Sequence, residues 1–207
     1  MSSNINNRRE ESLLFGTVKA YLLLISILVL TPESLLARGA DVESKDRGGQ
    51  TPLVHAARGR HRDVLQLLLS RGANPNVYER SDEPRGPTPL WWAATDGDAV
   101  GVQALIDHGA NVDAAHGGGY TALMGAVRFP DVVRALLKGG ANVRARTTDG
   151  KTALMIAESN RKLISPLDLQ SKSPNADGQH NDAALIEAAQ KRYDEVIQLL
   201  VDWGARK

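Results

Sequence analysis

His116-Gly117-Gly118-Gly119 is the stretch of this 207-residue chain that most resembles catalytic machinery. A histidine followed by three glycines can turn several backbone N–H groups toward one point, the arrangement that holds an oxyanion during ester cleavage. Such chemistry also needs an activated nucleophile, and no Gly-x-Ser-x-Gly elbow occurs anywhere in the sequence. The strip falls in the same register as Asp46 to Gly49, where a turn is expected. It therefore reads as a turn, with a hydrolase using His116 to Gly119 as a remote alternative.

The other residue types that do chemistry give less. Ser173, Asn175, Asp177 and Gly178 resemble the opening of a calcium loop, yet Ala184 takes the place of the bidentate glutamate. His55, His61, His108, His116 and His180 never stand three or four residues apart on one helix, the spacing that would let two of them grip a metal. Asp and Glu are scattered without a neighbouring His or nucleophile, and no phosphate-binding loop is present. The absence of cysteine excludes thiolate metal sites, disulfides and cysteine nucleophiles together. With 25 Lys and Arg against 24 Asp and Glu, no global field draws the chain to nucleic acid or anionic lipid. The expectation is a protein without catalysis, metal or cofactor.

The elements that carry these residues are expected to be helices. The apolar content is mostly Leu, Ala and Val, with only two Phe, four Tyr and three Trp, which suits helices packed through small residues. Residues 1–37 stand apart. A polar start with Arg8 and Arg9 leads into Leu13 to Leu30, where Lys19 is the only charge. The run after Lys19 is too short to span a bilayer and has the length of an export signal's apolar core. Thr31-Pro32-Glu33 breaks it, and Ala37 offers a cleavage point. The expectation is a signal peptide or membrane anchor, with membrane contact confined to residues about 13–30 and the rest exported. The alternative is a cytosolic protein whose apolar N-terminus is a buried cap.

Beyond it the chain repeats. Gly39-Ala40-Asp41, Gly72-Ala73-Asn74, Gly109-Ala110-Asn111, Gly140-Ala141-Asn142 and Gly204-Ala205-Arg206 form one signature. The first four are 33, 37 and 31 residues apart, and the last interval of 64 reads as two periods with one anchor lost. Thr51-Pro52-Leu53, Thr88-Pro89-Leu90, Thr121-Ala122-Leu123 and Thr152-Ala153-Leu154 form the other, with a faint copy at Ala183-Ala184-Leu185. Threonine before proline marks a helix start: its hydroxyl can accept an orphan N–H, and proline at the first helical position has no donor to lose. A second apolar run follows each start, as in Val64, Leu65, Leu67, Leu68 and Leu69, and the glycine of Gly-Ala ends it in a left-handed conformation. One helix pair cannot bury its apolar face alone, so neighbours must stack.

These residues resemble the ankyrin repeat family, and the likeness runs from Ser34 to the C-terminus. The resemblance implies an all-α solenoid of about five stacked helix-turn-helix repeats with β-turn fingers over residues 38–207, preceded by the N-terminal hydrophobic helix. Four departures stand out. The second finger carries four extra residues, the third helix pair is two short around Phe129-Pro130, Pro166 degrades the fourth repeat's second helix, and residues about 171–182 read as a mobile loop. Trp92 is expected in the core with Gly125 making room for it, and Trp91 either in the core or in the groove.

The resemblance also implies a job, which is to bind another protein, as a monomer, on the finger tips and exposed first-helix ends. Carried over residue by residue, the contact positions are Lys45, Arg47, Gln50, Arg58, Arg85, Thr95, Asp96, His116, Tyr120, Arg128, Arg146, Thr148, Asp149 and Lys151. Trp91 joins them as an aromatic anchor, and Tyr78 and Glu79 as part of the enlarged finger. The carried-over positions hold seven Lys and Arg against two Asp, so the concave face is expected to be basic and its partner segment acidic.

Overall fold

The computed structural model describes residues 31–78, 86–164 and 182–205. The hydrophobic segment before Thr31, the contact positions Glu79 and Arg85, Pro166 and the loop at about 171–181 lie outside the described residues. Among the described residues no helix is long and apolar enough to cross a membrane. The chain divides into two units, residues 1–41 and 42–207.

In the first unit a short helix α1 (Pro32–Ala37) begins at Thr31, whose hydroxyl accepts from the Ser34 N–H at 3.2 Å. Thr31-Pro32, read from sequence as a break, is therefore also a helix start. Gly39, at φ +86°, closes α1 in the left-handed region.

The second unit is a stack of helix pairs: α2 (Pro52–Arg58) with α3 (Arg62–Ser70), α4 (Pro89–Thr95) with α5 (Ala99–Asp107), α6 (Ala122–Gly125) with α7 (Pro130–Lys138), and α8 (Ala153–Leu163) with α9 (Asp182–Asp202). First helices touch first helices along the stack, α2 to α4 to α6 to α8, and second helices form a parallel row, α3 to α5 to α7 to α9. Thr51, Thr88, Thr121 and Thr152 stand at the starts of the four first helices in extended backbone, as their sequence context predicts. The hydroxyl cap is formed in only two of them, from Trp91 N to Thr88 at 3.2 Å and from Met155 N to Thr152 at 3.3 Å. The Thr51 and Thr121 hydroxyls are buried without a partner among the described residues.

The core is a column of leucines at the third position of each start, Leu53, Leu90, Leu123 and Leu154, meeting Leu65, Leu68, Val102, Leu105, Val132, Val133, Leu136, Val196 and Leu200 from the second helices. The third pair is short, as expected: α6 has four residues, and an irregular turn through Phe129 enters α7 at Pro130. Gly72, Gly109, Gly140 and Gly204 all lie between φ +83° and +93°, and a Cβ on any of them would meet nothing within 4 Å. Backbone conformation alone, not space, keeps these positions glycine.

The far end of the stack corrects the sequence reading. Ala183-Ala184-Leu185 does not open a fifth helix pair; it lies in the 21-residue helix α9, which runs without a turn to Asp202. Tyr193, Val196 and Leu200, spaced three and four apart, form its buried face. Because α9 packs on both α8 and α7, it fills the place of the fourth second helix. The 64-residue interval is thus one repeat with a long insertion between its helices, and the described residues of this unit hold four helix pairs.

A polar ladder, not anticipated from sequence, joins the repeats just beyond each Gly-Ala. Glu43 accepts from Asn74 N at 2.7 Å, Asn76 from Asn111 N at 2.7 Å, and Asp113 from Asn142 N at 2.8 Å. Each acceptor sits two residues past its own Gly-Ala-Asp or Gly-Ala-Asn anchor and reaches the next one. The fourth rung is reversed, because Arg144 can only donate and bonds the Gly204 carbonyl at 3.4 Å.

Candidate functional site

Three fingers share one turn. Asp46 N–H donates to the Gln50 carbonyl at 3.0 Å, and Thr147 N–H donates to that of Lys151 at 2.9 Å. In the third finger two short strands, β1 (Ala115–His116) and β2 (Tyr120–Thr121), pair His116 with Tyr120. The glycines of the His116 strip make the turn between them, Gly118 and Gly119 having φ +76° and +80°. The strip is built for close approach to the next finger: Gly118 carbonyl accepts from Thr148 N–H at 2.8 Å, and a Cβ on Gly119 would lie 3.2 Å from Arg146 O and Thr147 Cα. That contact explains the glycines without an oxyanion hole.

The first finger is braced by Asp46. Its carboxylate accepts from Gly48 N and Gln50 N at 2.7 and 3.0 Å and pairs with His55 Nε2 at 2.8 Å. The Gln50 backbone N–H and then His55 hold this carboxyl below the usual carboxylate range. In the fourth finger Asp149 is held low in the same way by Lys151, at 2.7 Å, and by Thr147. Lys151 is correspondingly raised by Asp149. Lys45 and Arg47 are exposed beside Asp46, while Gln50 is half-buried.

Between these fingers the structure brings four rings into a row. Trp92 and Trp91 meet edge to face with centroids 5.0 Å apart and planes at 83°. Trp91 meets His116 at 4.4 Å and 76°, and His116 lies 6.0 Å from Tyr120. The Arg58 guanidinium, from the preceding repeat, sits 5.0 Å over Trp92, a cation–π contact. Trp92 is therefore not the core residue expected from sequence. It is half-buried, as Trp91 is, because its column holds His55, Gly125 and Ile156, none of them fully buried. That mixed column was the signal available in the sequence, in contrast to the invariant leucine column two residues earlier. Gly125 makes room not for Trp92 but for Thr95 and Trp91, whose nearest atoms would lie 2.6 and 3.5 Å from a Cβ there.

Three polar atoms in this row are covered and have no hydrogen-bond partner among the described residues: Trp91 Nε1, Trp92 Nε1 and His116 Nε2. Burial also lowers the His116 pKa below its ordinary 6.5. A histidine that gives up its proton more readily when folded stabilises fully above its unfolded pKa, and that contribution is lost as the pH falls through its folded value. Thermal melts are expected to shift downward between about pH 7 and about pH 5, with a smaller shift in His116→Gln. Equal shifts in the two proteins would place the titrating group elsewhere.

The remaining contact positions take different roles. Thr95 turns inward and donates to the Trp91 and Trp92 carbonyls at 3.1 Å. Asp96 ends α4, and Tyr78 is half-buried at the edge of the described part of the long finger. Arg128 and Arg146 are exposed and donate only to carbonyls, Thr95 at 3.3 Å and Gly150 at 2.7 Å. By contrast three arginines on the helices each meet a carboxylate: Arg62 reaches Asp98 and Arg134 reaches Glu195 across a repeat boundary, and Arg161 meets Asp194 within the last helix pair.

Comparison with known families matches this repeat geometry. Models described as ankyrin repeats in three copies match residues 78–147 and 129–207, and one described as many copies matches residues 35–90. The chain belongs to the ankyrin repeat family. Ankyrin repeat domains are in general non-catalytic modules that bind other proteins. Among individual relatives, the chain is 38% identical over 92 residues to "Probable E3 ubiquitin-protein ligase XBOS33" of Oryza sativa subsp. japonica, covering 44% of this chain and 16% of that protein. It is 37% identical over 78 residues to the B-cell lymphoma 3 protein homolog of Mus musculus, covering 37% and 16%. It is 41% identical over 71 residues to the ankyrin repeat protein nuc-2 of Neurospora crassa, covering 32% and 6%. The chain thus spans less than a fifth of the length of these relatives, and the likeness is confined to short segments of it.

Proposed function

We propose that this ankyrin repeat chain is a non-catalytic interaction module that holds an acidic segment of another protein on its finger and first-helix face. The observation that carries the reading is how the charges on that face are committed. Asp46 and Asp149 are already engaged by His55 and Lys151, whereas among the described residues Arg128 and Arg146 meet no carboxylate: each donates to a carbonyl, and Arg128 also lies 4.9 Å over the Phe129 ring. A guanidinium with spare donors recognises carboxylates in a forked geometry, and at an exposed site the attraction is screened by salt. Titrating the full chain against fluorescent poly-L-glutamate tests this. Affinity should fall roughly tenfold or more on raising the salt from about 0.05 to about 0.3 M, and again in the double variant Arg128→Glu, Arg146→Glu. Binding indifferent to both changes removes the acidic-segment reading.

The apolar run from Ala20 to Leu30, following Arg8, Arg9 and Lys19, supports export or membrane tethering through residues 1–37 as part of the proposal. Mass spectrometry of the protein recovered from its native host would find a chain starting near Arg38 or one fractionating with membranes. An intact Met1 in the soluble cytosolic fraction would support the buried-cap alternative instead.

A further inference from the structure

We infer that the ring row Trp92, Trp91, His116 and Tyr120 is an anchor slot for an aromatic side chain carried within an acidic peptide. This rests on the acidic-segment reading above and goes further by naming what the peptide must hold between its carboxylates. Both tryptophans are only half-buried, Trp92 in a column that no repeat buries fully. Trp91 lies in a column whose equivalents Val54 and Met124 are wholly buried, so it stands out from the core where those counterparts do not. Trp92, Trp91 and His116 stand near right angles, at 83° and then 76°, so these three rings present alternating faces and edges, while Tyr120 is tilted by 31° from His116 at the end of the row. A flat ring packs into such corners edge to face, the arrangement aromatic quadrupoles favour. An aliphatic side chain gains only contact area there.

The polar atoms of the row define the rest of the occupant. Trp91 Nε1 and Trp92 Nε1 can only donate, and neither has an acceptor among the described residues. A peptide that shifts the rings and offers carbonyl or carboxylate oxygens recovers those bonds. Cationic side chains stand at both ends of the slot, Lys151 already paired with Asp149 at 2.7 Å and Arg146 bonded to a carbonyl. Arg58 lies over Trp92 at one end, and Lys151 and Arg146 belong to the finger that follows Tyr120 at the other. An aromatic residue flanked by carboxylates matches that order of cation, rings, cation, and the cluster of aromatic and arginine side chains has the composition of an interface hot spot. A cationic partner would meet Arg58 and Arg146 with like charge.

The test compares two probes on the full chain: poly-L-glutamate, which carries charge alone, and a random copolymer of glutamate and tyrosine. The copolymer should bind about tenfold tighter at equal salt, a difference the size expected of a filled aromatic anchor. The chain has three tryptophans, and Trp203 is exposed at the end of α9, outside the row. Its indole N–H resonance therefore serves as the internal reference. The Trp91 and Trp92 indole resonances, assigned with Trp91→Phe and Trp92→Phe, should move with copolymer while that of Trp203 stays. Tyr120→Ala, on an exposed finger position, should cut the copolymer's advantage at least severalfold without lowering the melting temperature. Equal affinity for both polymers with unmoved indoles overturns the anchor and leaves the acidic-segment reading standing. If neither polymer binds, or a lysine–tyrosine copolymer binds better, both readings fall.

Discussion

Replacing Leu136 with alanine is expected to cost about 2 to 5 kcal/mol of stability, the range of leucine truncations in closed cores. Leu136 is fully buried on α7, and α7 is packed between α5 and α9 in the second-helix row. The cavity would therefore open between repeats. In a stack whose stability is a sum of repeat and interface contributions, damage at a central interface is felt by both neighbours. Urea unfolding followed by helical circular dichroism measures the loss, with Leu185→Ala as the control. Leu185 is 66% exposed on α9, so its truncation should change stability by about 0.5 kcal/mol or less. Equal costs at the two positions would mean that α7 is not packed between its neighbours.

Why these elements were legible in advance follows from where their information lies. A threonine before a helix start and a glycine at φ near +85° are local requirements, satisfied by the residue itself. The four starts and the Gly-Ala ends therefore lie where the sequence places them. The end of the stack was not legible for the opposite reason. An interval of 64 residues between glycines fits two repeats or one interrupted repeat equally well, and Ala183-Ala184-Leu185 has the apolar residues of a helix start without its capping threonine. Only packing against α7 and α8 decides that α9 is one helix in one place. The ladder was hidden similarly: Glu43, Asn76 and Asp113 look like ordinary surface polar residues until the next repeat's N–H is seen opposite each.

The candidate site divides along the same line. Membership of the finger turns was readable, so Lys45, Arg47, His116, Tyr120, Arg146 and Lys151 fall on that face. Occupancy was not. Whether a charged residue is free or spent depends on a partner several residues away, as Asp46 and Asp149 show with His55 and Lys151. Trp92 was misplaced because an indole in an apolar helix looks like core. Its column is nevertheless variable, and Arg58 from the preceding repeat occupies the space above it.

Arg62 and Asp98 make the second large effect, and it should be asymmetric. Asp98 stands at the start of α5 and is almost wholly buried, 1% exposed, yet its side chain makes no cap bond to the helix. Its carboxylate is met across the repeat boundary by Arg62 Nε at 2.6 Å, on an arginine whose own side chain is about half exposed. Deleting the guanidinium leaves a buried carboxylate uncompensated, which costs about 3 to 5 kcal/mol in closed sites. The positive end of α5 returns about 0.3 to 1 kcal/mol of that. Deleting the carboxylate leaves a cation that water can reach, so the penalty is smaller. Arg62→Met is therefore expected to cost about 3 kcal/mol, Asp98→Asn about 1 kcal/mol, and the double variant less than the two added together. Urea midpoints of the four proteins in this cycle measure the coupling. Strict additivity would show that the pair is incidental to the stack. A larger cost for Asp98→Asn than for Arg62→Met would show that the carboxylate, through groups other than Arg62, is what holds the second repeat against the first.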